Sequence, residues 1–175
     1  MHYGPVPRAS GRPWTFTVGG ATVTGEERVF SLAEVLALPP VTRVADMHCA
    51  THWSVLDQEW TGVAAASIVE LAPPAADAAS ALVFAEYGYE ANVPLADLAS
   101  ADAVLATHLG GEPLSIERGA PLRLVLPQLY TWKGPKWVRG WNYLLPGDED
   151  LGFWEDHGYH RHGNAWREER YDYQR

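Results

Sequence analysis

Turn and break signals interrupt this chain so often that no long element fits between them. Gly19-Gly20, Pro39-Pro40, Pro73-Pro74, Gly110-Gly111, Pro127 and Gly134-Pro135 each turn or stop the backbone. Proline fixes φ and removes an amide donor, and glycine reaches left-handed conformations at little cost. The segments left between them are short and read mainly as strands. Trp14, Phe16 and Val18 alternate with Thr15 and Thr17, the pattern of a half-buried strand, and residues 21–24 are expected to return as its hairpin partner. Further strands are expected over 41–48, 81–85, 104–109, 122–126 and 136–145. Ser31-Leu32-Ala33-Glu34 has the form of a capping box and predicts a short helix over 32–38. A second helix is expected over 64–71, and a helical turn opens at Val93-Pro94-Leu95. Trp60-Thr61-Gly62-Val63 reads as a turn. Pro5, Pro7 and Pro13 make residues 1–13 an extended arm. Strict strand–helix–strand alternation is absent, so the expected fold is a β-rich α+β domain spanning residues 1–175 as one unit.

Charge narrows the partners. A chain of 175 residues with a net charge of −9 repels phosphate backbones and anionic membrane surfaces, so neither nucleic acid nor a lipid surface is expected. No apolar run approaches the roughly 18 residues that a membrane span needs. The chain opens Met1-His2-Tyr3-Gly4-Pro5, without a basic region and apolar signal core, which predicts a cytoplasmic protein.

The chemistry concentrates around one residue. Asp46-Met47-His48-Cys49-Ala50-Thr51-His52-Trp53-Ser54 contains the only cysteine of the chain. Three roles are open to Cys49 on the residues alone. It can be a buried, inert thiol. It can be a nucleophile, which requires a histidine base within reach; in a strand, His48 points to the opposite face from Cys49. It can be a metal ligand. One cysteine cannot build a structural zinc or iron–sulfur site, so a metal here would be held mainly by something else, such as an organic cofactor. Downstream, Arg118, Arg123, Lys133 and Lys136 form a local positive island in an acidic chain, and Lys133-Gly134-Pro135-Lys136 is the kind of Gly/Pro loop that receives anions. His157, His160 and His162 lack the thiolates or helical spacing of a zinc site and read as hydrogen-bonded members of a capping loop. Glu155, Arg167, Glu168, Glu169 and Arg170 read as surface ion pairs. The eight tryptophans lie mostly from Trp132 onward and suggest an aromatic wall.

Taken in order, these pieces resemble the molybdopterin-binding domain of the sulfite oxidase family, especially its small bacterial sulfite-oxidase-like branch. The resemblance rests on His48-Cys49-Ala50-Thr51-His52-Trp53-Ser54 with Trp60-Thr61-Gly62-Val63, on Gly88-Tyr89 with Val93-Pro94-Leu95, on Gly111-Glu112-Pro113-Leu114, and on residues 119–127 and 133–140. It implies a molybdenum–molybdopterin cofactor, with Cys49 completing the sulfur ligands of the metal. It implies that Arg118 and Arg123 bind the pterin or its phosphate, although Arg118 stands where the family usually has His or Asn. Gly134, Pro135 and Lys136 would grip the same group through backbone amides and a cation. Tyr89 matches the family's active-site tyrosine, His48 and His52 would support the metal's surroundings, and His2 and Tyr3 fall where the family's N-terminal arm touches the cofactor. The implied activity is oxygen-atom transfer to or from a small S- or N-containing substrate, with an unidentified electron donor or acceptor. The arginine pair that helps animal and plant members bind sulfite has no counterpart in His52-Trp53-Ser54, so sulfite is not implied as substrate. The family's further dimerisation and haem domains are not expected in this chain. A cofactor-binding protein without turnover and a cysteine hydrolase using Cys49 are the competing classes.

Overall fold

The computed structural model describes residues 4–7, 13–148 and 150–174. Its elements run in the order β1 (Thr15–Gly20), β2 (Arg28–Ser31), α1 (Leu32–Leu36), β3 (Pro40–Cys49), β4 (Trp53–Ala64), α2 (Ala65–Leu71), β5 (Ser80–Ala85), β6 (Glu90–Pro94), α3 (Leu95–Leu98), β7 (Val104–Leu109), β8 (Glu112–Pro113), β9 (Arg123–Val125) and β10 (Val138–Leu144). One sheet has the order β2-β1-β10-β5-β6; the second has the order β3-β4-β7-β8, with β9 also paired to β7. The pairing is antiparallel except between β1 and β10, which run parallel. This is the mixed, sheet-rich α+β architecture that the short segments predict.

Alternation explains which faces are covered. Phe16 and Val18 of β1 are fully buried, and Trp141 of β10 packs edge-on against Phe16 at 5.0 Å between ring centroids. They share a core with Val83 of the first sheet and with Val63, Leu105 and Leu124 of the second, so the main core lies between the sheets. The opposite face of β7 is covered too, by Trp60, Leu114 and Val125. Ser31 caps α1 as the sequence pattern requires, with its Oγ accepting from the Glu34 amide and Glu34 reaching back to the Ser31 amide.

Two expectations fail for identifiable reasons. Residues 21–24 do not pair with β1; the partner is β2, while Thr22 instead bridges to Pro74. Trp60-Thr61-Gly62-Val63 is not a turn but part of β4. Gly62 stands at a register shift between β4 and β7, where a side chain would run into the Leu105 carbonyl. The glycine that suggests a turn in the sequence is there to let β7 approach closely.

Candidate active site

Cys49 is the last residue of β3, and β4 starts at Trp53. The loop Ala50-Thr51-His52 between them closes with the His52 amide donating to the Cys49 carbonyl at 3.1 Å, and His52 has φ 65°. A loop of this kind needs a left-handed residue in its last position, a conformation that histidine tolerates better than most residues. Strand parity fixes the directions. Cys49 lies opposite Trp53, and Met47 opposite Val55; Met47, Cys49 and Trp53 all face one cavity. His48 lies opposite Ser54 on the other face, with Nδ1 2.8 Å from the Ser54 Oγ and its ring packed against Trp166. His52 is exposed. The Cys49 Sγ accepts a hydrogen bond from Thr51 Oγ1 at 3.2 Å.

The cavity has a volume of about 490 Å³. At its other end stand Arg123, Gly134, Pro135 and Lys136. Arg123 opens β9, and an isolated antiparallel bridge pairs it with Lys136, which brings the two cations together. Like charges placed directly across a bridge repel. Burial pulls Arg123 down to about 10, helped by the charge of Arg118. Burial likewise pulls Lys136 down to about 8, helped by Arg123 and Arg118. The Arg123 side chain lies over the Trp60 ring at 5.3 Å, and its Nε is buried with no hydrogen-bond partner among the described residues. Lys136 Nζ donates to the Glu117 carbonyl at 2.6 Å. A buried, unpaired guanidinium nitrogen beside a second cation suits an anionic group such as a phosphate. The Gly134 amide donates to the Thr131 carbonyl at 3.3 Å, and Gly134 itself packs against the Leu124 carbonyl, so this amide is already engaged within the protein.

Aromatic rings line the remaining wall. Trp132 is stacked on Tyr130 at 5.1 Å and meets Tyr159 edge-on at 4.9 Å, and Tyr159 touches Trp154 at 5.1 Å. Tyr89 also lines the cavity, and its hydroxyl donates to the Trp132 carbonyl at 2.5 Å. Burial first, then the charge of Glu155, pushes the Tyr89 hydroxyl far above the usual range, so it stays a neutral phenol.

Cys49, Tyr89, Arg123, Gly134, Pro135 and Lys136 are therefore brought to one cavity. His48 and His52 face away from it, and exposed Arg118 does not line it but acts on Arg123 and Lys136 through its charge and accepts from Arg123 Nη1 at its carbonyl. His2 and Tyr3 lie outside the described residues, though Gly4 beside them lines the cavity. Lys133, grouped with the anion-binding cations in the sequence, is fully buried against Glu155 at 2.5 Å. Glu155 is correspondingly no surface residue. Among the tail histidines, His162 sits between Asp97 and Glu169 at 3.0 and 3.1 Å, and His157 contacts the Phe153 carbonyl. No cluster of three or more His, Cys, Asp or Glu among the described residues can hold a metal ion. A metal bound by Cys49 would thus take its other ligands from a cofactor. Among the described residues, neither histidine beside Cys49 lines the cavity, so neither is placed as the base that a cysteine hydrolase needs.

A sheet-rich α+β fold that brings one thiol and an Arg–Lys pair to a common cavity has the makings of a protein that holds an anionic cofactor. More particularly, the chain belongs to the oxidoreductase molybdopterin binding domain family, whose model matches residues 3–150. The resemblance seen in the sequence thus holds: the protein is a molybdopterin-binding oxidoreductase, and its cofactor is molybdenum–molybdopterin. It is 38% identical over 172 residues to the uncharacterized oxidoreductase YuiH of Bacillus subtilis (strain 168), covering 98% of this chain and 85% of that one. It is 24% identical over 151 residues to the putative protein-methionine-sulfoxide reductase subunit YedZ1 of Azospira oryzae, covering 86% of this chain and 56% of that one. It is 26% identical over 171 residues to the protein-methionine-sulfoxide reductase catalytic subunit MsrP of Gluconobacter oxydans, covering 81% and 53%. The chain thus spans little more than half the length of these two reductase relatives. The crystal structure of the sulfane dehydrogenase SoxCD from Paracoccus pantotrophus shares the fold, with a TM-score of 0.68 at 20% identity over 79% of this chain and 40% of that one. No helix among the described residues is long and apolar enough to cross a membrane.

Proposed function

We propose that the protein transfers an oxygen atom to or from a small, neutral S- or N-containing substrate, with Cys49 as the protein ligand of molybdenum. When bound, the molybdenum–molybdopterin would supply two-electron redox chemistry and oxygen-atom exchange. The protein's own residues bind, orient and exclude water. Arg123 and Lys136 would hold the anionic end of the cofactor, which relieves their mutual repulsion. Thr51 donates to the Cys49 sulfur and so helps fix its direction in the cavity. Tyr89 stays protonated and is held by the Trp132 carbonyl, so it positions the wall as a donor and does not act as a base. The wall near Cys49 is built from Trp53, Trp132, Trp154 and Tyr159, rings that suit an uncharged substrate better than an oxyanion. The sulfoxide-reductase names of two relatives support the same direction.

The observation that carries this reading is the single cavity shared by the Cys49 sulfur and the Arg123–Lys136 pair. The test uses cofactor-loaded protein and a reduced viologen dye as electron donor, with dimethyl sulfoxide, methionine sulfoxide and trimethylamine N-oxide as acceptors. Dye oxidation with at least one acceptor, lost in Cys49→Ala while the pterin is retained, is the expected result. Loaded protein that oxidises dye with none of them, and oxidises no thioether with a chemical acceptor, would sink the proposal.

A further inference from the structure

The matched family model ends at residue 150, yet the segment that follows is built into the cavity. Trp154 and Tyr159 form part of its wall. The segment is anchored by Glu155 on Lys133, and an isolated bridge between Tyr159 and Tyr171 ties it to itself. Its other end reaches the cysteine turn. Arg170 Nη1 donates to the Ala50 carbonyl at 3.0 Å and to the Cys49 carbonyl at 3.3 Å, across 121 residues of sequence. Its Nε and Nη2 donate to Glu168 at 3.0 and 2.7 Å, and its guanidinium lies 4.9 Å from the Tyr130 ring. The Arg170 side chain is only 12% exposed. The guanidinium is thus oriented from three sides, by two backbone carbonyls, a carboxylate and an aromatic face.

We infer that Arg170 is the positioning residue of the Cys49 turn: it fixes the backbone from which the sulfur projects, and through it the C-terminal segment sets the direction of the sulfur in the cavity. This rests on the reading of Cys49 as the residue that meets the cofactor. Within the turn, the His52 amide donates to the Cys49 carbonyl and the Thr51 hydroxyl to the Cys49 sulfur, and Ala50 is buried among Tyr130, Trp132 and Ala165, while Thr51 and His52 are exposed. The Cys49 carbonyl accepts from both His52 and Arg170, so losing Arg170 removes the hydrogen bonds that reach the Cys49 and Ala50 carbonyls from outside the turn. Bonds from a charged donor are the strong ones, and Arg is suited to the task because its planar fork can hold several acceptors in a fixed geometry.

The experiment compares wild type, Arg170→Gln and Arg167→Gln. Arg167 lies on the same segment, is 71% exposed and pairs with Glu169 at 4.0 Å, so it controls for any general loss of tail charge. In cofactor-free protein, alkylation of Cys49 by iodoacetamide is timed; Arg170→Gln is expected to react on the order of tenfold faster, the worth of one charge-assisted hydrogen bond, and Arg167→Gln at the wild-type rate. In loaded, half-reduced protein, the Mo(V) electron paramagnetic resonance signal is expected to shift its g values or broaden in Arg170→Gln only, because those values follow the geometry at the metal–sulfur bond. A wild-type signal carrying no cysteine ligation would defeat the functional reading while the alkylation arm still decides this one. Arg170→Gln with wild-type alkylation and a wild-type signal overturns the inference. If Arg170→Gln does not fold by circular dichroism, Glu168→Gln replaces it. Glu168 is 68% exposed, and its loss frees the guanidinium without removing it. A faster alkylation in Glu168→Gln supports the inference and an unchanged rate overturns it.

Discussion

Lys133 Nζ and Glu155 Oε1 lie 2.5 Å apart with both side chains wholly shielded from solvent, so a cation that looks free to bind a ligand is consumed inside the protein. The same ammonium donates to the Asn92 and Arg161 carbonyls, which ties β6, the loop after β9 and the C-terminal segment together. Burial pushes Lys133 down, and the Glu155 charge opposes that push. Lys133→Met would leave a buried carboxylate without its partner. Removing one member of such a pair typically costs about 3–5 kcal/mol, and we expect a loss of that size in urea unfolding. A loss under about 1 kcal/mol would mean that solvent reaches the site.

Arg123 is expected to behave in the opposite way. Its Nε has no partner among the described residues, and it repels Lys136 across the bridge. Arg123→Met removes the repulsion together with the guanidinium's contact on the Trp60 ring, two small effects of opposite sign. The cofactor-free protein should therefore change by no more than about 1 kcal/mol. Molybdenum content after expression in a cofactor-competent host should fall about tenfold or more, since a charge-assisted contact to an anion is lost. A stable variant that keeps full molybdenum content would remove Arg123 from the cofactor site.

These two residues mark where the sequence is legible and where it is not. β7 is expected at Val104–Leu109 and found there, because a local apolar run fixes it. The Ser31 cap is equally local. Cys49 could be singled out because it is the only thiol, and strand parity separates it from His48 before any coordinates are known. Lys133 and Lys136, by contrast, look alike in the sequence, and only the distant Glu155 divides their roles. Arg170 reads as a surface charge for the same reason: its partners at Cys49 and Ala50 are 120 residues or more away. Gly62 misleads because glycine serves both turns and close strand contacts, and only the Leu105 carbonyl opposite decides between them.

Lys136 predicts a pH dependence. Its folded value is pulled down to about 8 from an ordinary 10.5, chiefly by burial. Between those values the unfolded chain binds more protons than the folded one, so this group makes stability rise with pH through that window and contributes no slope below it. The comparison is wild type against Lys136→Met in cofactor-free protein, by urea midpoints at about pH 7.5 and pH 9.5. Wild type should gain relative to the variant at the higher pH. Binding of an anion has the opposite sign: it favours the protonated ammonium, so affinity for inorganic phosphate or for the cofactor should weaken as pH passes about 8 in wild type and stay flat in Lys136→Met. Parallel profiles in the two proteins would show that Lys136 does not face the anion.

His52 gives a last discrimination between chemistry and geometry. Its φ of 65° lies in the left-handed region, and its side chain is exposed. Histidine enters that region more readily than branched residues, and glycine enters it at almost no cost. A role in forming the turn predicts that His52→Gly keeps both turnover and stability near wild type. His52→Val should lose about 1–2 kcal/mol, because a β-branched side chain crowds the left-handed backbone. A role in proton transfer predicts instead that both substitutions abolish turnover alike. Sulfoxide-dependent dye oxidation and urea unfolding of the two variants separate the cases, and loss of turnover in a fully stable His52→Gly would return the residue to the catalytic machinery.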